Sequence, residues 1–317
     1  MTCTEESRSE KDASDILHMG TGRSIAHHGE YLQGVFQDQD GQIVQGLVSL
    51  PLSGRGCVAR FTAQPGQSIV TIPDGKTKAM RAARIMLDTV GLRDWGGQLH
   101  IASDIPEGFG LGSSTADVLA VLRAVAVALR QPLSRRALSL LCVKTEQASD
   151  PLAYDMQPVL FAQRRGCVLD YLSGEYPPMH VLSCRSPDDP PVNTLDLQPA
   201  RYTQADMDRF QALRALSHFA FSTGNAAALG HLATQSALIN QRFRPKAQLD
   251  DCLAIAMETG ACGIQVAHSG NVIGVLFEPC AGVEARLDLA QQRLEASGLV
   301  DLERFALNVD RSEFVPC

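Results

Sequence analysis

The chain has 317 residues, enough for one large domain or two moderate ones with a full hydrophobic core and no need of covalent staples. Its 28 Lys and Arg against 35 Asp and Glu leave a formal net charge of −7, which excludes a polynucleotide grip, because phosphate binding needs a basic footprint and no Lys/Arg run supplies one. Nine cysteines, an odd number without a C-x-x-C pair, exclude a secreted disulfide framework and point to a reducing cytoplasm, and the eight histidines lack metal-ligand spacing, the side chains of adjacent His27 and His28 diverging.

In chain order, the opening "MTCTEESRSEKDASD" has no apolar signal-type stretch, and residues 1–16 are expected to form a disordered tail. Nothing downstream approaches a continuous membrane-spanning run. From about residue 43 to 72, "QIVQGLVSL", "GCVARFTAQ" and "QSIVTI" are rich in Val, Ile and Thr between Pro/Gly turns, which predicts strands and hairpins. "KTKAMRAARIMLDTVGL" follows as a helix with Met80, Ala83, Met86, Leu87 and Val90 on its buried face, stopping near Gly91. "GGQLHIAS" reads as a strand.

A glycine-rich loop comes next, "PEGFGLGSSTADV" at residues 106–118, and then Val118, Val121, Leu122, Val125 and Leu129 recur at helical spacing, predicting a helix from Ser114 to Arg130 that buries one stripe. Another helix is predicted in "SRRALSLLCVKTEQAS" with Ser134 as N-cap, and strands in "RRGCVLDYL" and "PPMHVLSC". The Pro- and Asp-rich "CRSPDDPPVNTLDLQPA" is read as a linker, dividing the chain into lobes at 17–184 and 185–317. Beyond it lie helices in "QADMDRFQALRALSHFAF", "NAAALGHLATQSALINQRF" and "AQLDDCLAIAMETG", and strands in "CGIQVAHSG" and "NVIGVLFE". There is no internal repeat.

The loop carries the chemistry. Gly108, Gly110 and Gly112 strip it of side chains, so its backbone N–H groups can approach a ligand, and the helix behind it adds the positive end of its dipole; phosphate is the natural guest. It is not a Walker A loop, which needs G-x-x-x-x-G-K-[ST], nor a Rossmann fingerprint, since the glycines run G-x-G-x-G behind hairpin-like sequence.

Pro106, Gly110, Leu111, Gly112, Ser113, Ser114 and Ala116 match the P-x-x-x-G-L-G-S-S-x-A signature, and the chain resembles the GHMP kinases. "HHGEYLQG" near the N-terminus resembles the first motif of that superfamily and "TGACGIQVAHSGNVIGVLF" the third. Within it, "GEYLQG" and "VAHSGNVIGVLF" look most like the L-threonine kinases that supply phosphothreonine to the cobamide side chain. The resemblance implies an α+β, two-lobed fold with ATP and acceptor in the cleft between lobes, and phosphorylation of the hydroxyl of a small metabolite: L-threonine first, another amino-alcohol or homoserine-like hydroxy acid behind it. A non-catalytic nucleotide-binding regulator is the reading from a different class.

The same resemblance implies the roles. Pro106, Glu107, Gly108, Phe109, Gly110, Leu111, Gly112, Ser113, Ser114 and Thr115 would hold ATP, with Ser114 and Glu146 on Mg²⁺ and Asp150 as catalytic base, Asp155 standing in reserve. A free amino acid needs an anion for its ammonium and cations or N–H donors for its carboxylate, which makes Glu30 and Arg23 the substrate-binding candidates, with His268 and Ser269 beside the phosphates. The partners implied are ATP and a small hydroxyl acceptor, without nucleic acid or membrane, in a monomer or homodimer.

Overall fold

The structure, a computed structural model, describes residues 18–188, 200–267 and 270–309. The tail at 1–16, most of the Pro- and Asp-rich linker, and His268 and Ser269 lie outside the described residues. Among those described, no helix is long and apolar enough to cross a membrane, and the seven cysteines are free thiols.

Among the described residues ten strands form one mainly antiparallel sheet. They are β1 (Met19–Gln37), β2 (Ile43–Pro65), β3 (Ile69–Ile72), β4 (Trp95–Ser103), β5 (Val159–Ala162), β6 (Cys167–Tyr171), β7 (Met179–Arg185), β8 (Gly263–Val266), β9 (Val272–Phe277) and β10 (Val300–Leu307). The order is β10-β7-β9-β8-β1-β2-β4-β3, with β5 pairing β2 and β6, and β3 runs parallel to its neighbour β4. Helices α1 (Thr77–Thr89), α2 (Ser113–Ala128) and α3 (Arg135–Glu146) pack on the β1–β2–β4 side. Helices α4 (Gln204–Thr223) and α5 (Ala226–Asn240) cover the second half of β1, and α6 (Leu249–Thr259) and α7 (Val283–Ala296) cover β7, β8 and β9. The α+β class expected from the sequence is the one observed. β1 carries the sheet across the 184/185 division, and β7, on the N-terminal side of it, pairs with β9 and β10.

Several elements depart from the sequence reading. "QIVQGLVSL" and "GCVARFTAQ" are not separate hairpin strands but two parts of β2, which pairs with β1 along most of its length and with β4 over its second half. Met80 is solvent-facing at 39 % exposure, and the buried face of α1 is Ala79, Ala82, Ala83, Met86 and Leu87, small residues that let the helix approach α2 closely. Helix α2 buries nearly its whole circumference rather than one stripe, because the sheet lies on one side of it and α1 and α3 on the others.

The strand β1, absent from the sequence reading, is the centre of the molecule. A Cβ on Gly20 or Gly22 would run into the α2 backbone, at Ala124 and Ala128 for the first and Ala120 and Ala124 for the second. Two glycines on one face of the strand thus meet alanines spaced four apart on the helix, and backbone lies on backbone. This close crossing sets α2 against β1, and its N-terminus against the residues further along that strand.

Candidate active site

Three local irregularities build the site. The first is a bulge in β1. His27 faces Pro51 and Glu30 faces Ser49, so β1 holds one extra residue there, and Gly29 takes φ +64°. A Cβ at Gly29 would lie 2.5 Å from Gln265 Oε1 and 2.7 Å from Ala267 N, a space only glycine fits. The bulge aims His27 and His28 in opposite directions. His28 Nε2 lies 2.7 Å from Ser183 Oγ, its Nδ1 contacts Gln265 Nε2, and burial followed by the neighbouring His27 charge pushes its pKa down to about 3, so it is a neutral tie between β1, β7 and β8. His27 faces the opposite way, into a cleft of about 520 Å³.

The second irregularity is the glycine loop. Gly108, Gly110 and Gly112 all have positive φ, and Gly112 caps α2 in the left-handed conformation with no side chain on the first N–H groups of the helix. A Cβ on Gly110 would sit 2.5 Å from Ala267 Cβ and 2.9 Å from Gly270 Cα; one on Gly112 would sit 2.6 Å from His27 Nε2. The loop is wedged between β1 and the turn after β8, and His27 N donates to Leu111 O at 3.2 Å. Phe109 stacks under the Arg185 guanidinium, 5.0 Å from its ring centre, and its carbonyl accepts from Asn271 N. Pro106 and Phe109 therefore shape the loop without lining the cleft, whereas Glu107, Gly108 and residues 110 to 115 line it.

The third is the break after α3. Glu146 is its last residue, Gln147 turns left-handed at φ 70°, and Asp150 is extended at φ −79°, ψ 161°, as the following Pro151 dictates. Asp150 caps no backbone group of the short 3₁₀ turn it precedes. Its Oδ2 instead lies 3.1 Å from His27 Nε2, and 22 % of the side chain stays exposed in the cleft.

The electrostatics follow from these contacts. Burial by itself would drive the proton off His27, but the Asp150 carboxylate, with Glu30 Oε1 at 3.9 Å and Gly29 O at 3.3 Å from Nδ1, outweighs it and raises the pKa to about 9. His27 is an imidazolium at neutral pH. Burial would raise Asp150, yet the His27 charge beside it outweighs burial and holds the carboxyl below the usual carboxylate range. Glu146 goes the other way: burial raises it, against the Ser114 hydroxyl and the Lys78 ammonium. Both its oxygens take hydroxyls from the first turn of α2, Oε1 from Ser114 and Oε2 from Thr115 at 3.1 Å. Lys78 Nζ lies 3.0 Å from Ser114 Oγ and 3.3 Å from Glu146 Oε1, a cation seated against two hard oxygens. Lys76 Nζ bridges Glu107 Oε1 at 2.6 Å and Asp117 Oδ2 at 2.7 Å.

Of the residues singled out from the sequence, Glu30, Glu107, Ser114, Thr115, Glu146 and Asp150 share this cleft. Arg23 does not: it lies on the exposed edge of β1 and lines a separate groove beside the end of α2. Asp155, the reserve base, is held there too, paired at 3.1 Å with Arg123, whose other nitrogen donates to Arg23 O. His27, Lys76, Lys78, Arg164 and Arg244 line the cleft and were not singled out. Only His27 carried a signal, its place in "HHGEYLQG"; the lysines looked like an ordinary polar helix start.

Residues 77–160 match the family model for the GHMP kinases N terminal domain. This segment is a GHMP kinase N-terminal domain. An L-threonine kinase of Salmonella typhimurium is 28 % identical over 268 residues, covering 80 % of this chain and 86 % of that protein. One of Citrobacter freundii is 27 % identical over 75 % of this chain and 83 % of its own. Among solved structures, the homoserine kinase of Cytophaga hutchinsonii superposes with a TM-score of 0.65 at 14 % identity, over 97 % of this chain and 98 % of its own. Another, with a TM-score of 0.62, 15 % identity and coverage of 91 % and 100 %, holds AMPPCP and magnesium. The chain is a small-molecule kinase. The cleft sets side by side an uncapped helix N-terminus with two lysines, an arrangement that suits a polyanion, and an ionised carboxylate paired with an imidazolium.

Proposed function

We propose that this kinase transfers the γ-phosphoryl group of ATP to the side-chain hydroxyl of L-threonine, giving O-phospho-L-threonine and ADP. The observation that carries the reading is the convergence, in one cleft, of the glycine-bounded N-terminus of α2 with the Asp150–His27 pair. The likeness to L-threonine kinases over most of the chain supports the choice of acceptor. A cytoplasmic enzyme supplying phosphothreonine to the cobamide side chain is the physiological role that likeness favours.

In this reading the backbone N–H groups of the 106–115 loop and the first turn of α2 cradle the triphosphate, whose charge Lys76 and Lys78 offset. Ser114 and Glu146 fit Mg²⁺: their oxygens converge, and the Lys78 ammonium already sits against both, so the pocket tolerates a cation. Bound there, the ion neutralises charge on the transferring phosphoryl group. Glu30 faces the acceptor ammonium. Asp150, kept ionised by His27, accepts the hydroxyl proton as the oxygen attacks phosphorus; the new P–O bond forms, the bond to the β-phosphate oxygen breaks, and ADP leaves. His27 holds the Asp150 carboxylate in place and in its charged form.

The purified protein, given ATP, Mg²⁺ and in turn L-threonine, L-serine, L-homoserine and alcohols without an amino group, tests this directly. Threonine is expected to give the largest kcat/KM by ADP release, with phosphothreonine identified by mass. Serine, lacking one methyl group, should be a poorer but detectable acceptor, since a methyl pocket discriminates by only about 1–3 kcal/mol. ADP release with homoserine or a plain alcohol exceeding that with threonine refutes the assignment.

A further inference from the structure

The two lysines at the start of α1 line the same cleft and are held in unlike ways. Lys76, with 21 % of its side chain exposed, bridges Glu107 and Asp117 at 2.6 and 2.7 Å, two carboxylates outside the pair that fits Mg²⁺. Lys78, the second residue of the helix, is 51 % exposed, and its partners are that pair: Nζ lies 3.0 Å from Ser114 Oγ and 3.3 Å from Glu146 Oε1. Ser114 donates to the same Glu146 oxygen. One ammonium thus stands on the oxygens that a divalent ion would need.

Ammonium and metal cannot share them. Mg²⁺ takes oxygens at about 2.1 Å, so an ion on Ser114 and Glu146 would come within about 5 Å of Lys78 Nζ, and like charges at that range repel strongly in a partly buried site. Yet the Glu146 carboxylate calls for a cation. Its side chain is 4 % exposed, and among the described residues its oxygens otherwise take only hydroxyl groups, from Ser114 and Thr115. A buried carboxylate answered by neutral donors alone is costly. The site therefore needs one cation and admits one at a time. Lys78 is the movable candidate: its flexible four-carbon stem starts on α1, apart from the α2 and α3 residues that it contacts, and half of it faces solvent. A triphosphate at the N-terminus of α2 gives its ammonium another anion to pair with.

Resting on the Ser114–Glu146 cation-site reading above, we propose that Lys78 is a placeholder cation, which neutralises Glu146 when no metal is bound and yields the two oxygens only when the triphosphate draws its ammonium away. Lys78 thereby excludes a free divalent ion and admits one that arrives with the nucleotide.

The test titrates Mn²⁺, a divalent ion that takes the same hard oxygens, into the full-length protein without nucleotide, with the unbound ion read by electron paramagnetic resonance. The unaltered protein is expected to bind it weakly. In Lys78→Met the affinity should rise about tenfold or more, because the competing charge is gone. Lys78→Arg keeps a cation and should stay near the unaltered protein, Lys76→Met should gain far less than Lys78→Met, and adding Glu146→Gln to Lys78→Met should erase the gain. Melting curves give a second readout: Lys78→Met should melt below the unaltered protein and recover with Mn²⁺ alone, whereas Mn²⁺ alone should leave the unaltered protein nearly unshifted. Tight Mn²⁺ binding and a raised melting temperature in the unaltered protein without nucleotide overturn the placeholder, and no variant is needed to see it. A folded Lys78→Met that binds Mn²⁺ no better overturns it too. The cation-site reading is judged separately, by the Mg²⁺ concentration that Glu146→Gln needs for half-maximal turnover. A shift there with no gain in Lys78→Met leaves Ser114 and Glu146 as ligands and removes only the role of Lys78; no shift overturns both.

Discussion

Replacing Gly112 with alanine probes the joint between the phosphate loop and the acceptor site. Gly112 sits at φ +73°, where a residue with a Cβ pays about 1–2 kcal/mol. The added methyl would also stand 2.6 Å from His27 Nε2, and closer still to its Cδ2, so the ring must move and its 3.1 Å pairing with Asp150 Oδ2 is lost. Breaking a fully buried ion pair costs about 3–5 kcal/mol. Discounted for the 22 % exposure of Asp150, the two effects together come to roughly 3–6 kcal/mol, or ~5–9 °C in melting temperature for a chain of this size. Gly224 supplies the control: it too is left-handed, at φ +64°, but a Cβ there meets nothing within 4 Å, so Gly224→Ala should show the backbone cost alone. Thermal melts of both variants, with initial rates of ADP release at saturating ATP and threonine, measure the difference, and kcat should fall only for Gly112→Ala. In the double variant with His27→Ala the obstructing ring is gone, so the two destabilisations should be less than additive. A Gly112→Ala protein that melts no lower than Gly224→Ala and turns over normally would show that the contact with His27 does not organise the site.

Asp150→Asn keeps the shape but cannot take a proton, and kcat should drop roughly 10²–10⁴-fold with ATP affinity nearly unchanged; a normal kcat would mean that orientation alone suffices. For Ser114→Ala and Glu146→Gln, the Mg²⁺ concentration giving half-maximal rate should rise while the melting temperature changes little, and an unshifted Mg²⁺ titration would remove both from the cation site. Because the folded pKa of His27 is raised from 6.5 to about 9, its contribution is complete below pH 6.5 and disappears as pH climbs through 9; the stability advantage over His27→Gln should shrink by on the order of 3 kcal/mol across that window in denaturant titrations. An advantage independent of pH there would contradict the ion pair. Glu30→Gln should raise KM for threonine with little effect on ATP, whereas equal loss with a plain alcohol acceptor would give Glu30 another role.

What the amino-acid sequence determined was what neighbours along the chain determine. The glycines at 108, 110 and 112 and the apolar run behind them define a loop and a helix start, because left-handed backbone and helical periodicity are properties of a few consecutive residues. Ser134 caps α3 through Ala137 N, three residues on, and pre-proline sterics set the extended backbone of Asp150. The tertiary structure decided the rest. β1 escaped notice because it is buried on both faces over residues 26 to 32 and bulged at Gly29, so it shows no alternation, and its place comes from pairing with β2 and crossing α2. Met80 or Ala79 inward, Arg23 outward and Arg244 inward are choices among residues of similar local character, settled by which backbone they pack against. The charge state of His27 is the clearest instance: an imidazolium up to pH 9 exists only because a carboxylate 123 positions later folds to within 3.1 Å of it, and Coulomb energy depends on distance in space rather than separation along the chain.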